Sequence, residues 1–312
     1  MKKIIFFGGK GGVGKTSCAS ACALASAKSG DKTLLVSTDT AHSLSDIFNK
    51  KLGPKEKKIE ENLYCIEIDA DEEAKKYIEG IKQNISESID PNVVEDIKKQ
   101  LEMAYVSPGT QESALFDKIM DLIETKIGEY KRIIFDTAPT GATLRLISLY
   151  TLLEDWITSL IKRRKEILNK FEIASKTFPE LEKKYKDDPV LKILEKRRIQ
   201  ILKGRKILTD KENTGFYFVT TPEKLSIQET DRSVKILKDL NISIEGIIVN
   251  RVIPETEDEF LSKRKKVQNE KMEEIKDLFK EYPIIYMPLL DSEVEGIDTL
   301  MKYSKILVDQ IS

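Results

Sequence analysis

Long apolar runs are missing from this chain: no stretch approaches the roughly eighteen residues that a membrane-crossing helix needs. Cysteine is scarce as well. Cys18, Cys22 and Cys65 are too few and too awkwardly spaced for a disulfide framework or a self-contained zinc site, and no zinc is expected. Cys18 and Cys22 lie one helical turn apart in an alanine-rich stretch, where small thiols read first as packing and only second as a functional pair. His42 is the single histidine; it reads first as loop structure, with metal ligation the lesser alternative. A charge excess of either sign is also lacking, since 52 basic against 53 acidic residues leave a formal net charge of -1. Such a balance gives no overall steering toward nucleic acid, and no nucleic-acid partner is expected. The opening MKKIIFFGG carries no secretory pattern, so the expected setting is the reducing cytoplasm.

What is present is an alternation of short apolar runs with helical patterns. The runs lie at Ile4–Phe7, Leu34–Ser37, Tyr64–Ile68, Ile133–Asp136, Phe216–Thr220, Ile244–Asn250 and Ile284–Leu289. Their β-branched content and lack of strict alternation predict strands covered on both faces, hence an α/β fold with a mainly parallel sheet flanked by helices. Two stretches interrupt the rhythm, at approximately 70–127 and 152–210. The first is acidic in its opening part and the second basic, which permits them to form one helical subdomain within a single domain spanning 1–312. Leu153, Trp156, Ile157, Leu160, Ile161, Leu168 and Phe171 form an apolar stripe at helical spacing. It reads first as internal core and second as a groove for an apolar partner. Gly128–Glu129 and Gly215 are expected as returns from the insertions to the sheet. The charged run Glu255–Lys280 fits a solvated helix or a long connection.

The chemistry concentrates at FFGGKGGVGKTSCASA. Gly9, Gly14, Lys15 and Thr16 satisfy G-x-x-x-x-G-K-[ST] between a predicted strand and a small-residue helix. Backbone N–H groups of Gly9, Lys10, Gly11, Gly12, Val13, Gly14 and Ser17 can surround phosphate oxygens there without clashing side chains. Lys15 would touch the β/γ-phosphates of ATP and the Thr16 hydroxyl would ligate Mg²⁺. Asp39 ends the second predicted strand in DTAHSLSD. It reads either as a group that orients water toward the γ-phosphorus or as a helix cap. Asp136 ends RIIFD and precedes Thr137, Pro139 and Gly141; it can hold the hydration shell of Mg²⁺, with the following loop sensing phosphate. Asn250, after GIIV, has an amide able to meet both sides of an adenine edge or simply to close a turn. Pro288, Leu289 and Leu290 are placed to flank the base.

In their order, GKGGVGKT at 9–16, STDTAHSLSD at 37–46, DTAPTGATLR at 136–145, IIVNR at 247–251 and PLLDSEVEG at 288–296 resemble the guided-entry and arsenite-efflux ATPase family, within the wider group having a deviant Walker A loop. The resemblance implies a P-loop NTPase fold and a Mg-dependent ATP hydrolase acting as a homodimer. Lys10 matches the residue that reaches across the dimer to the partner's phosphate. Asp39 matches the water-positioning residue, Thr16 the Mg²⁺ ligand, Asp136 a group around the hydrated ion, and Asn250 with Pro288–Leu290 the adenosine site. Targeting members shield the hydrophobic transmembrane segment of tail-anchored clients and meet a membrane receptor. A single ATPase unit and the lack of cysteines in the insertions favour that branch over metalloid-stimulated efflux; a positioning ATPase working with a protein partner is the other alternative. Three departures stand out: Ala142 in place of a histidine, no late C-x-x-C in the region ending FLSKRKK, and Gln111 beside Glu112 where relatives carry aspartate.

Overall fold

The computed structural model describes residues 1–39, 43–86, 110–137, 140–175 and 188–311. Among them, eight strands form one sheet: β1 (Ile4–Gly9), β2 (Thr33–Ser37), β3 (Lys57–Glu60), β4 (Leu63–Glu67), β5 (Arg132–Asp136), β6 (Thr214–Thr220), β7 (Ile244–Val252) and β8 (Ile284–Pro288). Their order is β3-β4-β2-β5-β1-β6-β7-β8. Every neighbouring pair is parallel except β3 with β4, which is antiparallel. The chain is thus an α/β protein of the P-loop NTPase class. β3 has no counterpart in the sequence reading because Lys-Lys-Ile-Glu offers one apolar residue, Ile59, to the core. A short charged strand of this kind suits a sheet edge, where it discourages pairing with another chain.

Both faces of β1 are buried, which explains its unbroken apolar run. Phe6 stacks between Phe135 and Phe216 on one face, at centroid distances of 4.8 and 4.6 Å. Phe7 and Ile5 join the opposite layer, beneath α1 (Lys15–Lys28) and the last helix. The small residues of α1 let it sit deep, so Cys18, Ala19, Ala23 and Leu24 are fully buried. Desolvation pushes the thiols of Cys18 and Cys22 up to about 12 and that of Cys65 higher still, so all three behave as core groups rather than thiolates.

The remaining helices are α2 (Ser43–Ile47), α3 (Ala70–Ser86), α4 (Thr110–Lys126), α5 (Thr140–Ser175), α6 (Pro189–Leu208), α7 (Lys224–Asp239), α8 (Glu259–Leu278) and α9 (Gly296–Ile311). Pro189 opens α6 behind Asp188, whose carboxylate accepts from Leu191 N at 2.7 Å. Asp258 caps α8 in the same way, making the charged run a helix. Arg197 of α6 pairs with Asp117 of α4, and Arg205 of α6 with Glu154 of α5 at 2.8 Å. Gly204 permits α6 to approach α4, for a Cβ there would stand 2.8 Å from the Phe116 ring.

Three expectations change on this framework. Gly215 lies inside β6 rather than in a turn; a Cβ would meet Glu245 Cγ at 2.3 Å, so close strand approach explains it. The segment after Pro139, expected as a sensing loop, becomes helical at Thr140 and continues unbroken through 152 to Ser175. The apolar stripe divides: Ile157 and Ile161 enter the core, while Trp156 is 58% exposed. Pro179, the 105–109 part of YVSPGTQESALF, and His42 lie outside the described residues, and the side chains of Gln111, Glu112, Ala142, Leu153 and Phe171 are likewise not described.

Ile157→Ala should therefore destabilise the chain by about 2–4 kcal/mol, whereas Trp156→Ala should change stability by about 0.5 kcal/mol or less. Urea unfolding of the two variants measures the difference, and equal losses would contradict the division of the stripe.

Candidate functional site

The site forms beyond the carboxyl ends of the parallel strands, where β1 passes into Lys10–Gly14 and then α1. Gly9 must lack a side chain because a Cβ would stand 2.3 Å from the Val219 carbonyl oxygen of β6. Gly14 precedes α1 with φ 93°, a left-handed conformation that suits glycine, and a Cβ there would meet Asn250 Nδ2 at 2.2 Å. The loop is consequently pressed against β6 and β7 rather than free. Helix α1 begins directly after it, bringing the amide N–H groups of its first turn and the positive end of the helix dipole to the site.

Lys15 is 4% exposed, and its ammonium donates to the Lys10 carbonyl at 3.3 Å. Asp136 is wholly buried. Its Oδ2 accepts from Ser37 Oγ at 3.3 Å, the Thr16 hydroxyl also bonds to its carboxylate, and Oδ1 has no hydrogen-bond partner among the described residues. Burial is the main cause that raises its pKa from 3.8 to about 7; Asp39 adds to the rise, while Thr16, Lys15 and Ser37 oppose it. Asp39 is half-buried, and its N–H donates to the same Ser37 hydroxyl at 3.2 Å. Ser37, to which the sequence reading gave no role, therefore joins the two carboxylate residues. An unpartnered buried carboxylate oxygen beside two hydroxyls is a fitting oxygen-donor set for a hard cation such as Mg²⁺.

Lys15 and Thr16 border an open cavity of about 1100 Å³ that runs from Gly12, Lys15, Thr16 and Ser17 to Pro288, Leu289 and Leu290 on its far side. Asp39 borders it too, while Asp136 lies buried behind Thr16, so the cavity itself brings together the phosphate loop, Asp39 and the segment expected beside a base. Val13 is different: its side chain is core, and only its backbone belongs to the loop. Gly11 is exposed and Lys10 is half-buried, and neither borders the cavity.

The Asn250 amide is committed inside the protein. Nδ2 donates to the Val13 carbonyl at 2.8 Å, while Oδ1 accepts from Tyr303 Oη at 2.7 Å and Arg251 N at 2.8 Å. The amide expected to read both sides of an adenine edge thus joins the phosphate loop to β7. Arg251 and Tyr303 also line the cavity. Arg251, at φ 59°, had the signal of following the motif asparagine; Tyr303 sits in α9 with no motif around it.

Glu67 adds a second tie. Its carboxylate accepts from Leu44 N at 3.2 Å and Ser45 Oγ at 2.7 Å, holding α2 to the end of β4 close to the start of α3. The segment after β2 and the first insertion are therefore anchored through adjacent backbone.

Comparison with known proteins agrees with this geometry. The description "Anion-transporting ATPase" matches residues 2–309. The chain is 35% identical to "Putative arsenical pump-driving ATPase 2" of Aquifex aeolicus, over 98% of this chain and 99% of that protein. It is also similar to "ATPase ASNA1 homolog 1" of Paramecium tetraurelia, at 32% identity over 98% of this chain and 92% of that one. With "ATPase get3" of Neurospora crassa it shares 33% identity over 97% and 90% of the respective chains.

The raised Asp136 pKa makes a signed prediction. Between about 4 and about 7 the folded chain holds a proton on Asp136 that the unfolded chain has released, so this group's contribution declines as pH rises through that window. The melting temperature of the parent chain should fall relative to that of Asp136→Asn between pH 5 and pH 8 in metal-free buffer, measured by calorimetry. Parallel curves would remove the buried carboxylate from the account.

Proposed function

The chain belongs to the anion-transporting ATPase family that includes arsenical-pump, ASNA1 and GET3 proteins, and from this premise we propose a Mg-dependent homodimeric switch whose ATP cycle controls capture and membrane targeting of apolar client segments. Family membership carries ATP hydrolysis and nucleotide-driven conformational change in general terms. The dimer, the client and the roles of individual residues are our reading.

The observation that carries the chemistry is the convergence of Lys15, Thr16, Asp39 and Asp136 at one end of the cavity. Lys15 would hold β/γ-phosphate oxygens, and the loop amides would face the same anion. Thr16 would ligate Mg²⁺ while Asp136 accepts from its hydration shell; the ion supplies charge neutralisation on the phosphates when bound. Asp39 would orient water in line with the γ-phosphorus, work that demands position. Lys10, outside its own cavity, would approach the nucleotide of a second copy and thereby couple dimer closure to phosphate. The base would rest against Pro288, Leu289 and Leu290, with Asn250 supporting the loop.

Support for an apolar client comes from the helical insertions. Trp156, Ile167 and Ile173 of α5 and Ile193 and Ile199 of α6 are exposed, whereas Ile157, Ile161 and Leu168 of α5 and Ile201 of α6 are buried. The helical subdomain formed by approximately 70–127 and 152–210 would present them, and α5 starts four residues after Asp136. A membrane receptor would complete the targeting cycle. The second reading, an ATPase that drives a membrane pump, is favoured by the name of the Aquifex relative. Stimulation by arsenite through cysteine is disfavoured, since all three thiols are buried in the core with raised pKa values. A positioning switch acting with another protein partner would use the same nucleotide chemistry.

One assay separates these readings: with ATP analogue bound, the parent chain should retain a C-terminal transmembrane peptide and lose it on Trp156→Glu with Ile193→Glu, while arsenite leaves turnover unchanged. Turnover stimulated by arsenite without peptide retention would reverse the choice.

For the chemistry, Asp39→Asn should bind nucleotide normally and lose about 10²–10³-fold in turnover, whereas Lys10→Ala should bind nucleotide yet fail to form the nucleotide-dependent dimer in sedimentation. Unchanged turnover or unchanged dimer closure would remove the respective role.

A further inference from the structure

We propose that Tyr303 is a positioning residue for nucleotide binding, its phenol on the last helix holding the Asn250 amide in the orientation that fastens the Val13 carbonyl of the phosphate loop. The inference rests on reading the cavity as the nucleotide site and goes further by placing control of the loop in α9, which no motif marks.

The connection is continuous. Tyr303 Oη donates to Asn250 Oδ1 at 2.7 Å, and Asn250 Nδ2 donates to Val13 O at 2.8 Å. Arg251 N donates to the same Oδ1 at 2.8 Å. The Arg251 N–H can only donate and the Val13 carbonyl can only accept, so a flip would set NH₂ against the one and an oxygen against the other; the Tyr303 hydroxyl, donating to Oδ1, adds its bond to that orientation. A phosphate nest works through its N–H groups, and an unpaired loop carbonyl turned toward an anion would oppose it. The bond to Asn250 gives that carbonyl a partner within the protein.

Packing makes the phenol a fixed donor. Tyr303 is 2% exposed, and Cys18, one turn into α1, lies with Sγ 3.5 Å from its oxygen. Burial raises the pKa of both groups, so the phenol stays protonated and the neighbour stays a neutral thiol throughout the range in which the protein operates. Gly14 completes the arrangement: the missing Cβ leaves the space that Asn250 Nδ2 occupies. Tyr303 also borders the cavity, so α9 faces the ligand space at the residue that governs the loop.

Tyr303→Phe keeps the ring and deletes only the donor. Titration calorimetry with Mg-ADP should show affinity about five- to tenfold weaker than for the parent chain, with KM for ATP raised equally and kcat at saturation within about twofold. In an Asn250→Ala background the added Tyr303→Phe change should have no further effect on affinity, because the relay is already cut. Leu307→Ala, a buried packing change one turn along α9, should lower the melting temperature yet leave nucleotide affinity unchanged. Parent-like affinity in Tyr303→Phe, full additivity with Asn250→Ala, or equal weakening by Leu307→Ala would overturn the relay while the nucleotide site stands. Failure of the parent chain to bind Mg-ADP would overturn the site and the relay together.

Discussion

The tie between Asn250 and the Val13 carbonyl fixes how the phosphate loop meets the sheet, and most of the site depends on it. Gly9 brings the loop against β6, Gly14 leaves room for the amide of β7, and Lys15 and Thr16 then enter the cavity from the first turn of α1. Were either glycine to carry a side chain, the loop would have to leave one of the two strands. The loop is tied to the core layer at Gly9, Val13 and Gly14, while Gly11 and Gly12 between them are exposed.

The segments around the loop meet at Ser37. Its hydroxyl touches both the Asp39 backbone and the Asp136 carboxylate, and Asp136 is buried with one oxygen unpartnered among the described residues. A buried carboxylate resists ionisation until a cation or donor compensates it, so the site gains most from binding where it is least comfortable alone. From this point two routes lead outward: β5 passes into the 36-residue α5 soon after Asp136, and Glu67 joins α2 to the strand preceding α3. A change in charge at one end of the cavity thus has short covalent and hydrogen-bonded paths into both insertions.

Much of this was legible in the residues. The strand–loop–helix phosphate pattern and the strand-end positions of Asp39 and Asp136 follow from local rules, and the parallel sheet follows from short apolar runs without strict alternation, separated by helical patterns. What escaped had non-local causes. β3 is charged because it is an edge; Gly215 mimics a turn glycine because a neighbouring Glu245 excludes a Cβ; and the tie from Asn250 to Val13 and Tyr303 left no local mark because those partners are distant in sequence. The stripe on α5 divided between core and surface because helical periodicity gives a face but not what covers it. Lys10 remains defined by resemblance, since the chemistry proposed for it needs a second copy.

The most direct measurement of the central claim is hydrogen exchange on the full chain with and without a Mg-bound, non-hydrolysable ATP analogue. The account predicts strong added protection at residues 9–17 together with altered exchange at the start of α5 and in α3. Unchanged exchange at 9–17, with protection arising elsewhere, would contradict it.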